Sequence, residues 1–249
     1  MQRRLGRNLK MDGNIEMPLG DHPVLSQLPG PERARLLAKS VKHRVRQGTI
    51  LFDQGEKPTF QQFLIEGCIH LYGRSIDDRE VLIEVIEAPD LIVPAAVLTN
   101  TAYLMQARVV EESTLLLIQA SAFRSAVLSE PSLAVALVGC LSGQFRRLVR
   151  QVKNLKLRSA VQRVGCHLLV LAAKQGTPER VILPYEKNVI ASQLGITRES
   201  FSRALAELQK IGIEVQGETI RIIDPRRLAE VCLPDPLIDN AEDMLQVTE

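Results

Sequence analysis

Between Val41 and Ile118 the apolar residues come in short runs broken by turn-rich polar stretches. Gly48-Thr49-Ile50-Leu51-Phe52, Phe63 to Gly67, Cys68 to Tyr72 and Val81 to Ile86 have the length and composition of strands. The tight Glu66-Gly67 step and the polar loop holding Ser75, Asp77 and Asp78 read as hairpin connections. Short antiparallel strands at this spacing predict a barrel or jelly roll. Before them, His22 to Ser40 has the spacing of one or two short helices, broken at Pro29-Gly30-Pro31. After them, Pro131 to Leu157 reads as one long helix. Val138, Phe145 and Val152 recur every seven residues, as do Leu141, Leu148 and Leu155 with an offset of three. That is the a/d seam of a coiled coil and predicts self-association, although packing on the chain's own roll would use a similar face. Helical spacing resumes from Ala160 to Gln175, with Val161, Val164, Leu168 and Leu171 facing a core. Gly176-Thr177-Pro178 ends that helix, and Val181 to Pro184 is a short strand.

The last third carries the most specific pattern. A short helix, Lys187 to Leu194, ends at Gly195, which can supply a tight turn. Thr197 can cap the next helix, with Glu199 and Ser200 in its first turn. Phe201, Leu205 and Leu208 mark its buried face, while Arg198, Glu199, Ser202 and Arg203 fall on the exposed side near its start. Then Ile211 to Val215, Gln216-Gly217-Glu218 and Thr219 to Ile223 read as strand, turn and strand. A charged surface helix alone would mean little. Helix, turn, helix and hairpin in succession predict a winged helix-turn-helix, in which early helix residues meet base edges in the major groove. An arginine can bond guanine O6 and N7 together, and a glutamate can accept from cytosine N4.

Here the chain resembles the Crp/Fnr family of bacterial transcription regulators. The run Arg198-Glu199-x-x-Ser202-Arg203 matches the family's base-reading signature, in the form of its Fnr-type branch. The early roll motif resembles Gly48-Thr49-Ile50-Leu51-Phe52-Asp53-Gln54-Gly55-Glu56. The resemblance covers roughly residues 20 to 230 and is weakest in the effector pocket. It implies a homodimer on double-stranded DNA, an operator close to TTGA-spacer-TCAA, and RNA polymerase as a further partner. Arg203 would read guanine and Glu199 the paired cytosine, with Ser202 or Arg198 tuning flanking bases. Thr197, Lys187 and Arg221 complete the expected DNA-facing set. The expected architecture is α+β. It comprises a tail at 1–20, a β-roll sensor at 21–130, a dimerisation helix and hinge at 131–158, the reader at 159–232 and an acidic tail at 233–249.

Net charge, at +2, would not suggest nucleic acid. Its distribution does: from Lys153 to Glu230 thirteen basic residues oppose eight acidic ones, an excess of five. After Leu233 come Asp235, Asp239, Glu242, Asp243 and Glu249 with no Lys or Arg, so that stretch is expected to be a solvated extension. No apolar run approaches the ~20 residues that span a bilayer, and the basic N-terminus lacks the apolar segment of a secretory signal. The expected location is the cytoplasm. Cys68, Cys140, Cys166 and Cys232 are widely spaced, which suits reduced structural thiols and predicts no metal site.

The effector is harder to read. Family members that bind cyclic nucleotides hold the ribose with a Gly-Glu pair and the phosphate with an Arg-Ser/Thr pair. Here Val93-Pro94 stands at the first place and Tyr103-Leu104 near the second. A buried phosphate without a cation is costly, so cyclic AMP is not the expected effector. Two readings stay open: a pocket filled by its own side chains, or an apolar or planar ligand such as haem. Haem needs an axial donor, and His70 and Cys68, two apart on one strand, share a face. An iron–sulfur cluster is not expected, since such clusters need several neighbouring thiolates and no cysteine precedes Cys68. A regulatory module acting on a protein partner is the alternative function, and the wing after Arg203 argues against it. No Gly-x-Ser-x-Gly, phosphate loop or His-Glu-x-x-His is present, so no enzyme is expected.

Overall fold

Alternating side chains give a strand two faces, and in the first part of this chain both are used. The computed structural model describes residues 22–239 and divides into two units between Gln144 and Phe145. The expected N-terminal tail and most of the acidic extension lie outside the described residues.

The first unit begins with α1 (Gly30–Leu37), then β1 (Ser40–Val45), β2 (Ile50–Phe52), β3 (Phe60–Glu66), β4 (Cys68–Arg74), β5 (Glu80–Glu87) and β6 (Asp90–Ile92). It continues through α2 (Pro94–Thr99), β7 (Gln106–Val109), β8 (Ser113–Gln119), α3 (Ala120–Ser129) and the start of α4 (Pro131–Leu157). The strands form two four-stranded sheets, ordered β1-β8-β3-β6 and β2-β7-β4-β5. Leu64 and Leu115 from the first sheet meet Ile69, Leu71, Ile86 and Ala107 from the second in one core. The other face of the first sheet packs Phe63, Ile65, Leu116 and Ile118 against Phe123, Leu133 and Leu137 of the helices. Burial on both faces explains why Phe63 to Ile65 and Leu115 to Leu117 read as continuous apolar runs. Gly67, between β3 and β4, has φ +96°, and a Cβ there would collide with Ser113. The jelly-roll expectation thus describes the sensor unit, with β1, β6, β7, β8, α2 and α3 added by the structure.

Helix α4 runs over the span expected from the heptads. Its early turns bury Leu133, Ala136, Leu137 and Cys140. By length and composition alone it could cross a membrane, which corrects the expectation that no segment could. Its first half is instead packed in the first unit's core, and its second half carries Arg146, Arg147, Arg150, Lys153 and Lys156.

The second unit holds the rest of α4, α5 (Ala160–Lys174), β9 (Arg180–Ile182), α6 (Lys187–Gln193) and α7 (Arg198–Gln209). It closes with β10 (Ile213–Gln216), β11 (Thr219–Ile222) and α8 (Pro225–Cys232). A reciprocal capping box starts α5: Ser159 accepts from the Gln162 N–H, and the Gln162 side chain accepts from the Ser159 N–H. Such a cap stabilises a helix by about 1 kcal/mol. Val164, Leu168, Phe201, Leu205, Leu208 and Ile220 share one core. The strands form a three-stranded sheet ordered β10-β11-β9, with Gly217 at φ +65° in the wing turn.

The segment after α8 departs from the solvated extension expected. Asp239 is 8% exposed, and its carboxylate accepts from both terminal nitrogens of Arg158, itself buried. Asp235 pairs with Lys153 at 3.4 Å. Cations at the end of α4 and just past it therefore draw the start of the acidic stretch onto the protein.

Candidate nucleic-acid interface

Two backbone features aim α7. Gly195 adopts φ +62°, a region L-residues avoid, and a Cβ on it would collide with the Leu155 side chain. The turn is held from below by Arg163, whose Nη1 donates to the Leu194 carbonyl at 2.6 Å and to that of Gly195 at 3.3 Å. Thr197 then caps the helix, its Oγ1 accepting from the Ser200 N–H at 3.2 Å.

From that start Phe201, Ala204, Leu205 and Leu208 turn inward, and Arg198, Glu199, Ser202 and Arg203 stand exposed. The outward set is the one the sequence singled out. Glu199 is held ionised below the usual carboxylate range, by its own backbone N–H first and by the Thr197 hydroxyl second. It is thus an acceptor at neutral pH, as a cytosine amino group requires. Arg203 Nη2 donates to Ser200 Oγ at 3.2 Å, which fixes the guanidinium beside Glu199's turn of the helix.

Lys187 and Arg198 line a concavity of about 410 Å³ with Glu186, Asn188, Gly217 and Glu218. The start of α6, the start of α7 and the wing tip therefore border one hollow. Sequence reasoning did not single out Glu186, Asn188 or Glu218, because nothing in their local pattern shows that three separated segments converge. Arg221 lies on β11 outside that hollow and pairs across the hairpin with Glu214 at 3.6 Å.

The six proposed dimerisation residues lie along α4. Val138, Phe145, Leu148, Val152 and Leu155 are exposed and Leu141 is half-buried. Leu155 also lies against the turn at Gly195.

The effector-pocket residues separate. Tyr103 is buried and stacks on Phe52, with centroids 3.6 Å apart. Burial pushes its hydroxyl up to about 12. Val93 packs against the same core, at φ +41°, and Pro94 is buried at the start of α2. Leu104 is 81% exposed and takes no part. His70 stands between Ile69 and Leu71, both inside the roll, so alternation puts its ring on the opposite face of the sheet. There its Nδ1 lies 3.1 Å from the Tyr72 hydroxyl, beside a bidentate Arg108–Glu80 pair. His70 and Cys68 do share a face, but it is not the face that lines the roll. Leu104 and His70 thus stand apart from Val93, Pro94 and Tyr103: Leu104 is exposed, and His70, itself buried, lies on the other face of its sheet. The interior they were assigned to is occupied by Phe52, Leu64, Ile69, Leu71, Ile92 and Tyr103.

Two family models match the chain. Residues 162–231 match the Crp-like helix-turn-helix domain, and residues 42–130 match the cyclic nucleotide-binding domain. A CRP-like cAMP-activated global transcriptional regulator of Mycobacterium tuberculosis is 27% identical over 188 residues, covering 74% of this chain and 84% of the relative. The nitrogen fixation regulation protein FixK of Azorhizobium caulinodans is 32% identical over 119 residues, 46% of this chain and 48% of that protein. The structure of FixK2 from Bradyrhizobium japonicum superposes with a TM-score of 0.62 at 20% identity, covering 77% of this chain and 96% of that one. That last likeness is one of fold.

Proposed function

The chain belongs to the Crp/Fnr family of bacterial transcription regulators, and from that premise we propose that it is a cytoplasmic homodimer reading a palindromic, TGA-containing operator. The observation that carries this is the capped start of α7, which presents Arg198, Glu199, Ser202 and Arg203 together on one exposed face. Arg203 supplies the bidentate donor for guanine, and ionised Glu199 supplies the acceptor for the paired cytosine. Lys187, Arg198 and the wing backbone at Gly217 follow the phosphates. Thr197 orients the helix start, and Arg221 supports the hairpin through Glu214. The free α4 face joins two copies, which sets two α7 helices about one DNA turn apart. RNA polymerase is the expected partner once the dimer is on DNA, and the protein acts by binding rather than by catalysis.

The Mycobacterium relative is named as cAMP-activated. In this chain Val93-Pro94 replaces the ribose-binding pair, and the roll interior is filled by Phe52 and Tyr103. An effector other than cyclic AMP fits that interior better. The test is a binding series with operator and scrambled duplexes at several salt concentrations. Arg203→Ala should cost about 1–3 kcal/mol and relax selectivity at one G·C pair. Selective binding retained in Arg203→Ala would refute the reading of α7. Cyclic AMP should leave the wild-type affinity unchanged.

A further inference from the structure

A second concentration of charge lies between the end of α4 and α5. Arg150 and Arg158 project from one side, and Arg163, His167 and Lys174 form a stripe along α5 on the other. With Asp239 they border a cavity of about 240 Å³, completed by Asn154, Val170, Leu194 and Ile238. That is about eight water-sized volumes, enough for a phosphate bearing a small organic group.

The lining holds three arginines and a lysine against one carboxylate. That carboxylate shows what the site can take. Asp239 receives both terminal nitrogens of Arg158 and, on Oδ2, the Asp235 N–H at 2.9 Å, so its acceptors are engaged at one wall. The opposite wall has polar groups still to be satisfied. Neither Arg163 Nε nor His167 Nε2 has a hydrogen-bond partner, although both atoms are buried. Burial also disfavours the charged form of Arg163, a cost that a bound anion offsets. His167 is held down to about 4, by burial first and by Lys174 second, so it stays neutral and can share a proton with a ligand oxygen.

We propose that this cavity binds a small phosphate-bearing molecule, held by Arg150, Arg163 and Lys174 with His167 at its floor. The cavity borders two levers. Arg158 sits at the junction of α4 and α5, and Arg163 holds the Leu194–Gly195 turn that aims α7. Occupancy therefore stiffens the junction and the reading turn together, and the site is separate from both the roll interior and the exposed face of α7.

The experiment titrates inorganic phosphate into the full-length protein at constant ionic strength, balanced with chloride, and reads thermal unfolding and phosphorus-31 line width. The expected result is a saturable response in both. Arg150→Gln with Lys174→Gln should weaken it at least tenfold, and Lys174→Arg alone should retain it. An unsaturable response no greater than that of chloride would overturn the proposal. So would a response unchanged in the Arg150→Gln/Lys174→Gln protein. A response abolished by Arg198→Gln with Arg203→Gln would also overturn it, because the phosphate would then sit on the DNA-reading face.

Discussion

Removing the charge of Asp239 tests how firmly the end of the chain is tied to the α4–α5 junction. The Arg158 and Asp239 side chains are 5% and 8% exposed, and Nη1 lies 2.7 Å from Oδ1. At that distance an effective dielectric of 20 gives a gross attraction of about 6 kcal/mol. Desolvation of both ions offsets most of it, so the pair contributes little compared with an apolar one of the same volume. Breaking one side is different, because Arg158 is left buried without its counter-ion, typically at about 3–5 kcal/mol. Asn154 Oδ1 stays 3.2 Å from Arg158 Nη1 and moderates the loss. We therefore expect Asp239→Asn to lose about 3 kcal/mol, the lower end of that range. For a unit of this size that lowers the unfolding midpoint by more than about 10 °C. Urea and thermal denaturation of the full-length protein measure it, with the reader unit's transition followed separately. Arg158→Met with Asp239→Leu should recover most of the loss. A cost below about 1 kcal/mol for Asp239→Asn would show that the pair is solvated and the tie is not real.

Three other outcomes are expected. Gly195→Ala should cost more than Gly217→Ala, since both have positive φ but only Gly195 is approached by another side chain, that of Leu155. The backbone alone accounts for about 1–2 kcal/mol at each, and equal losses in urea melts would remove the Leu155 contact from the argument. Phe145→Glu, at a position 69% exposed in the single chain, should turn a dimer into a monomer in sedimentation without changing the helical signal. A dimer that persists would move the interface elsewhere. His22 and His167 are each lowered to about 4, by burial first, so folding favours their neutral forms. Their contribution is fully present above pH ~6.5 and is lost as pH falls from there through about 4, on the order of 3 kcal/mol each. An imidazole resonance from either residue titrating near pH 6.5 in the native protein would contradict this.

What could be read along the chain was whatever local chemistry encodes. The seven-residue recurrence from Val138 to Leu155 predicted α4 to its ends, because one amphipathic helix writes its period directly into the sequence. Gly195, Thr197 and the Phe201-Leu205-Leu208 spacing likewise predicted the turn, cap and inward face of α7, since each depends on neighbours within a few residues. The sheet strands β1, β6, β7 and β8 were not legible. β6 and β7 are short, β1 carries Lys42, His43 and Arg44, and the apolar run of β8 does not show that it pairs with β1 and β3.

Only the tertiary structure decided the positions that depend on long-range pairing. Whether His70 faces the roll interior follows from its register against Arg108 and Val85, and a one-residue difference reverses the answer. Whether Tyr103 lines an open pocket or fills it depends on Phe52 meeting it from a segment fifty residues away. The fate of Asp239 depends on Arg158, eighty-one residues earlier. Sequence alone thus determined α7, its cap and the apolar heptad face of α4, because their determinants lie within one turn or one heptad. The filling of the sensor, the cavity beside α5 and the anchoring of Asp235 and Asp239 were decided by contacts that form only when distant segments close on one another.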